Sequence, residues 1–535
     1  MLNIKRQLKD LLVKLGYDDD KVNIDYPSNL EHGDYATNLA MVLAKEKSQA
    51  PVKVAEEIIK NLSKDKFIKE VFSEIEAVKP GFINFHLKDE FLVKQIDKIN
   101  KAGDKYGASK IGQGQKVQVE FISANPTGPL TLGNGRGGTY GDVLANILSL
   151  SGFKVEREYY INDAGNQVKV LGLSLLAAAG VIDGQDDYYS GEYIKEWVKQ
   201  NDVEWDEYRE QPEELGYKAA ADFIQSMIKP SVGKLGVKFD VWFSEKKELH
   251  DSKQVDKILD WLTKHKLVYD KEGAKWMKTE QFGDKKDRVL VTGSGEPTYF
   301  LVDLAYHKNK FDRNFDKVIN IWGADHHGYI DRVQAGMKAL EHEGELIIKI
   351  LQLVRILEDG KEVRMSKRKG TFIVLDELID EVGVDVVRWF FLMRSLETHM
   401  DFDLTLAKEQ SKKNPVYYVQ YAFVRLSSII EQTKKLKNLK TKELGDYKLA
   451  KEERQLIVYL LRWPELIEEV AQNYQVHSLT TYAHELADKI QKFYETSRVI
   501  ENNKINSLRL ELTKAAKVVL GNALKILGIK APEKM

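Results

Sequence analysis

The sequence of 535 residues predicts an α/β protein. A Rossmann-like parallel-sheet domain is preceded by a small α+β domain and closed by an all-α bundle. Three observations carry this. Residues 113–163 read as strand, loop, helix and strand, the opening of a parallel sheet. Upstream, helical stretches lead into "EAVKPGFINFHL", where Ile83 and Phe85 alternate with polar neighbours as in a half-buried strand. Beyond about residue 375 the pattern is amphipathic and helical, and 413–535 carries no clear strand signal.

The N-terminus, "MLNIKRQLKDLLVKLG", is charged every few residues, which excludes a signal peptide and predicts an amphipathic helix over 2–15. Helices over 36–47 and 51–63 follow, and the glycine-rich "ASKIGQGQK" reads as a linker, giving a first domain of 1–112. Val117, Val119, Phe121 and Ile122 then form a buried strand that ends in a loop holding Pro126 and Pro129. From Gly135 helical periodicity places Val143, Leu144, Ile147 and Leu148 on one side and stops at Gly152, after which "FKVEREYYIND" resumes as strand. Further strands are expected at 289–291, 318–322 and near 350–356. The second domain is 113–375 with an insertion at about 170–285, followed by a connecting stem over 376–412 and a helical domain over 413–535.

Composition narrows the chemistry. With no cysteine, disulfides, thiolate nucleophiles and cysteine-based zinc sites are excluded, and a reducing, cytoplasmic setting fits. The longest apolar run, "LGLSLLAAAGVI", is too short to span a bilayer, so no membrane association is expected. A net charge of −1 leaves nucleic-acid binding to be argued locally.

Four stretches carry chemistry. "GPLTLGNGRGGTYGD" contains G-x-G-x-x-G at Gly133, Gly135 and Gly138, with Glu156 and Glu158 on the next strand where a ribose-binding acid would stand. A dinucleotide turn, however, requires its strand to run straight into the first glycine, and here a proline-containing loop intervenes. The alternatives are glycines that permit close helix–strand packing, or a nucleotide-binding turn of another kind. "EVRMSKRKGTF" crowds Arg364, Lys367, Arg368 and Lys369 onto a short loop, suited to a departing polyphosphate or simply solvated. In "EPTYFLVDLAYHKNKF", Tyr299 and Asp303 share a face if helical. With Glu120 they could receive a guanidinium, although Asp303 could equally serve the helix N-terminus. "NIWGADHHGY" follows an apolar strand. Gly323 permits close approach and Asp325 can accept from a ribose hydroxyl. His326 and His327 lack a third ligand at zinc spacing, and no metal site is expected.

Together and in this order these stretches resemble the arginyl-tRNA synthetases, class I aminoacyl-tRNA synthetases of bacterial type, over essentially the whole chain. "EHGDYATNLAMVLAK" and "PGFINFHL" are similar to the family's N-terminal, tRNA-contacting domain. "VEFISANPTGPL" through "GDVLANIL", with "EYYINDAGNQ", resembles the first nucleotide-binding stretch, and "NPVYYVQYAFVRLSSI" and "NALKILGIKAPEKM" the anticodon-binding bundle. The resemblance implies ATP-dependent attachment of L-arginine to tRNA(Arg) through arginyl-adenylate, with ATP and Mg2+ as substrate and no protein-bound metal, in a monomeric cytoplasmic enzyme. It implies that Glu120, Asn125, Tyr299, Asp303 and His326 line the arginine pocket and that Gly133, Gly323 and Asp325 hold the adenosine part of ATP. Arg364, Met365, Ser366 and Lys367 match the second signature, with Lys367 on the phosphates, and Met535 is implied to sit near the anticodon.

The first signature, within Ala124 to Asn134, departs from the family pattern His-x-Gly-His: the chain has Thr131-Leu132-Gly133-Asn134. Thr and Asn can donate hydrogen bonds but carry no charge. A charge-assisted hydrogen bond contributes about 1.5–3 kcal/mol, so losing charge at two positions costs roughly one to four powers of ten in rate. Both replacements are polar, and the other stretches are intact. Thr131 and Asn134 are therefore read as a working variant that acts with Lys367. The alternatives are a weak or inactive relative that binds tRNA or arginine, and a small-molecule nucleotidyltransferase, which would have no use for the helical domain. Tyr417, Tyr418 and Tyr421 lie near one helical face, where they can stack on bases or fill a core.

Overall fold

The computed structural model describes residues 2–27, 29–362, 374–435, 441–442, 448–501 and 504–535. In the N-terminal unit, helix Ile4–Lys14 starts at Asn3, whose side chain accepts from the Arg6 backbone N–H. Antiparallel strands Tyr35–Thr37, Phe72–Val78 and Phe82–Leu87 form a sheet with the third in the middle. Ile83 and Phe85 are fully buried there, as their alternation predicts. The second helix begins at Leu39, because residues 35–37 pair with 83–85 as strand instead.

The central sheet has five strands: β1 (Lys116–Glu120), β2 (Lys154–Ile161), β3 (Val241–Ser244), β4 (Lys317–Gly323) and β5 (Glu345–Leu351). Their order is β5-β4-β1-β2-β3, and every neighbouring pair is parallel. Helix α1 (Leu132–Leu150) connects β1 to β2. The order reverses between β1 and β4, which makes a crevice at their C-terminal ends, the place where ligands bind in open α/β sheets.

Of the opening motif, Gly135 and Gly138 serve packing, and so does Gly141 beyond it. A Cβ on Gly141 would lie 2.3 Å from Phe121 Cγ, one on Gly138 2.7 Å from Ile122 Cδ1, and one on Gly135 2.5 Å from Leu375 Cδ1. Helix α1 is thus pressed onto the exit of β1. Glu158, the acid offered for a ribose, is buried and accepts from Tyr306 Oη and Arg313.

Several expectations need correction. Strand Arg288–Val291 exists but belongs to a separate antiparallel sheet with Val268–Lys271 and Ala274–Met277. The single strand expected near 350–356 is two, β5 and Val354–Glu358, broken at Gln352 and Leu353; the second pairs with Met400–Asp403. The segment 170–285 is not wholly an insertion, since β3 lies within it and completes the central sheet. The C-terminal domain is helical as expected, built from helix Pro415–Lys435, α3 (Lys451–Asn473), α4 (Ser478–Thr496) and α5 (Ser507–Leu527), where α2 (Tyr299–Asp312) is the helix before β4; residues 441–442, 500–501 and 504–506 add a small sheet to it.

One continuous apolar core runs from Ile4 through the sheet to Ile529. Glu465 of α3 pins the N-terminal unit to the bundle. It accepts from the backbone N–H of Ile4 (2.9 Å) and Lys5 (3.0 Å) and from the hydroxyls of Tyr26 and Tyr35. Arg454 grips Asp34 through both carboxylate oxygens at 2.8 and 2.7 Å.

Candidate active site

β1 ends at Glu120, and the chain then turns through two residues in the left-handed region, Ile122 (φ 67°) and Ser123 (φ 40°). A β-branched residue held there is strained, and such strain persists only where surrounding contacts impose it. The contacts are present. Ser123 Oγ donates to Glu120 Oε1 at 2.9 Å and accepts from the Tyr160 N–H at 3.1 Å. Tyr159 Oη donates to the Ala124 carbonyl at 2.9 Å and Tyr193 Oη to the Thr127 carbonyl at 2.7 Å. The turn sends the loop over the sheet edge to the start of α1.

That start is closed by a reciprocal cap. The Thr131 hydroxyl and backbone N–H donate to Asn134 Oδ1 at 2.8 and 2.9 Å, while the Asn134 N–H reaches Thr131 Oγ1 at 3.4 Å. With Oδ1 so engaged, the Asn134 Nδ2 donors have no partner among the described residues. The first backbone N–H groups of a helix lack intrahelical acceptors and sit at its positive end, which together favour phosphate. Helix α1 presents this end to a cavity of about 550 Å³ lined by Thr131, Gly133, Asn134, Gly323, Asp325 and Leu353 among others. At Gly323 a Cβ would lie 2.5 Å from Asp325 Oδ1, so a side chain there would displace the Asp325 carboxylate.

The far wall is held by Arg136 of α1. Fully buried, it donates to the carbonyls of Gln352 (3.0 Å), Thr398 (3.0 Å) and Ser395 (2.7 Å). Burial lowers its guanidinium to about 10.

A second cavity of about 850 Å³ shares Thr131, Asn134, Gly323 and Asp325 with the first and extends under Tyr188, Tyr189 and Tyr193. Asn125 and His326 line it, both exposed. The His326 Nε2 lies 3.5 Å from Asp325 Oδ2.

Below this loop is an acidic cluster. Burial foremost, with Glu245 and Glu120 nearby, pushes the Asp303 carboxyl up to about 7, opposed by the Tyr329 hydroxyl and Lys310. Glu245, at the C-terminal edge of β3, is buried and 3.1 Å from His250 Nε2. Glu120 is not a free acid: Lys310, with a fully buried side chain, donates to its Oε2 at 2.5 Å. Lys310 also donates to Asn320 Oδ1 at 2.9 Å, and Asn320 Nδ2 lies 2.7 Å from His307 Nε2. Burial and Lys310 lower His307 to about 3, so it is neutral. Its Nδ1–H donates to the Asp303 carbonyl at 2.7 Å, leaving Nε2 as acceptor. Of the two acids expected to pair with a guanidinium, Glu120 thus already has a cation partner among the described residues and Asp303 does not.

Tyr299 opens α2 with 58% of its surface exposed, while Asp303 one turn on faces the cluster. Arg364, Met365, Ser366 and Lys367 lie outside the described residues. Tyr421 stacks on Tyr417 at 6.3 Å and 9°, with the Arg425 guanidinium 4.5 Å from its ring. Tyr418 instead donates to Asp488 at 2.6 Å. Met535 is exposed. Sequence reasoning missed Glu245 and Lys310. The first follows a short strand and could have been found at the sheet's C-terminal edge; nothing in "HKNKF" marks a buried lysine.

Family comparisons agree across the chain. Models described as "Arginyl tRNA synthetase N terminal domain", "tRNA synthetases class I (R), catalytic domain" and "DALR anticodon binding domain" match residues 2–87, 95–388 and 419–535. An arginine–tRNA ligase of Carboxydothermus hydrogenoformans is 44% identical over 99% of this chain and 98% of its own. The chain belongs to the arginyl-tRNA synthetase family. A Bacillus subtilis arginine–tRNA ligase is 41% identical with both chains fully covered. Among solved structures, Thermus thermophilus arginyl-tRNA synthetase superposes with TM-score 0.79 at 21% identity, covering both chains fully. That of Plasmodium falciparum gives 0.76 at 18%, covering 99% of each. Both share the fold.

Proposed function

We propose a division of labour within the site: the end of α1 serves ATP and the acidic cluster serves arginine. The chain catalyses ATP-dependent attachment of arginine to tRNA. In the proposed sequence an oxygen of the arginine carboxylate attacks the α-phosphorus of ATP, and the bond to the departing pyrophosphate breaks. A terminal ribose hydroxyl of tRNA(Arg) then attacks the acyl carbon of the arginyl-adenylate and AMP leaves. No protein nucleophile is required, so the rate comes from positioning and charge stabilisation.

The Asn134 amide and the free N–H groups beside Gly133 receive the phosphates, with Thr131 holding Asn134 in place. Gly323 and Asp325 take the adenosine. By resemblance, Arg364, Met365, Ser366 and Lys367 bind ATP, with the Lys367 ammonium on the phosphates. Asp303 and Glu245 receive the guanidinium; Glu120, neutralised by Lys310, shapes the pocket. Asn125, Tyr299 and His326 orient the other end of arginine. Tyr421 and Met535 contact tRNA. Mg2+ accompanies ATP as part of the substrate, and the enzyme acts as a cytoplasmic monomer.

The observation that supports this most is the shared wall. Thr131, Asn134, Gly323 and Asp325 border both cavities, so substrates in the two would meet there. The test is incorporation of labelled arginine into tRNA(Arg) with ATP and magnesium, with lysine as control. Arginine-specific charging is expected; binding of arginine and tRNA without charging would leave an inactive relative instead.

A further inference from the structure

Where the N-terminal unit meets the helical region, two adjoining cavities of about 480 and 360 Å³ share Tyr26, Tyr459, Arg462 and Glu485 as walls. They have no lining residue in common with the reaction cavities. Arg462 stands at their junction, its guanidinium 4.0 Å from the centre of the Tyr26 ring and 5.4 Å from that of Tyr459. It makes no hydrogen bond or ion pair with any described residue, and its Nε is buried without a partner. A half-buried guanidinium without an acceptor is costly and rare.

The surrounding charges are lopsided. Each carboxylate on these walls is engaged: Asp34 by Arg454, Glu485 by the Tyr459 hydroxyl at 2.8 Å, and Glu469 by Lys5 at 3.8 Å. The cations are not. Lys451 and Lys489, both on the larger cavity, have no hydrogen-bonded or ion-paired acceptor among the described residues. Burial foremost, then Lys492 and Arg462, depress the Lys489 ammonium below its ordinary range, while Glu485 and Asp488 oppose them. Asp488 itself accepts from Tyr418.

We infer that this interdomain cleft is a seat for a phosphate group, held by Arg462 together with Lys489 and Lys451. The two tyrosine rings lie within cation–π reach of the guanidinium and take up none of its hydrogens, which leaves donors for two phosphate oxygens. With Arg454 taken up by Asp34, the larger cavity has Arg462, Lys489 and Lys451 against one carboxylate without a cation partner, Glu485, an excess of positive charge that favours a phosphate over a neutral ligand. The phosphate can come from the tRNA backbone or from free phosphate in solution.

The test uses the intact chain and limiting acetylation at neutral pH. The rate at Lys489 is read by peptide mass spectrometry against the exposed Lys66, with tRNA(Arg) or millimolar inorganic phosphate as probe. Protection of Lys489 of about tenfold is expected from at least one probe, and a comparable loss of that protection in Arg462→Gln. Protection by tRNA alone assigns the seat to a backbone phosphodiester, and protection by inorganic phosphate to a free anion. Unchanged Lys489 rates with both probes, or protection that survives Arg462→Gln, overturn the inference. Should that variant fail to fold, the exposed Lys451→Gln carries the same test. Charging activity is not a readout, so failure here leaves the assignment of the reaction centre untouched.

Discussion

The Thr131 hydroxyl donates to Asn134 Oδ1, the oxygen that also accepts the Thr131 backbone N–H. The two residues at the histidine positions of the first signature are thus committed to each other. Of the pair's side-chain donors, only the Asn134 amide remains for a phosphate. Asn134→Asp keeps the capping oxygen but replaces that amide with negative charge. Pyrophosphate exchange is expected to fall roughly 100-fold or more, with the urea midpoint little changed. Thr131→Ala is expected to behave in the opposite way, losing about 1 kcal/mol of stability with the smaller effect on rate.

Arginine affinity should depend on pH through Asp303. A guanidinium prefers the carboxylate form, and the free carboxyl sits at about 7. Above that value the group is ionised and affinity is flat; below it, each pH unit weakens binding about tenfold. Calorimetry at about pH 8 and about pH 6 should therefore differ by about tenfold, tighter at the higher pH, with proton release on binding near neutrality. Glu245→Gln removes a like charge and should move the midpoint to lower pH; a midpoint that stays put would separate Glu245 from the pocket.

Lys310→Met would leave Glu120 buried without its cation. Removing one partner of a buried pair costs roughly 3–5 kcal/mol, and Lys310→Met with Glu120→Gln should recover much of that. Denaturant unfolding of the two single variants and the double variant gives the coupling. Simple additivity would mean the pair is not a unit.

The glycines can be sorted by substitution. Gly141→Ala puts a methyl against Phe121 and should cost about 1–3 kcal/mol. At Gly133 the nearest atom to a Cβ is Thr131 Oγ1 at 3.7 Å, so Gly133→Ala should leave stability unchanged or raise it.

Periodicity made much of the architecture readable. Residues 116–161 follow the expected strand–loop–helix–strand order, and strand β4 covers 318–322. The start of α1 lay three residues earlier than its apolar pattern, at a cap written with Asn where Glu or Gln is usual. Three apolar residues at 289–291 announce a strand but not its sheet, because pairing partners are set by the fold. The charged residues beneath the loop were the least legible. Glu120 reads as an available acid until Lys310, 190 positions away, is found against it.

The latch at Glu465 has a consequence for how the protein comes into being. Its carboxylate receives the N–H of Ile4, 461 positions earlier in the chain, and Asn3 Nδ2 donates to Glu468 at 2.6 Å. The ribosome releases the first helix long before it makes α3. That helix must wait, its docking face unsatisfied, until the 461 further residues up to Glu465 have emerged. A segment made before α3 therefore settles only after it, so a nascent chain stalled before α3 exposes this undocked helix to chaperones and proteases.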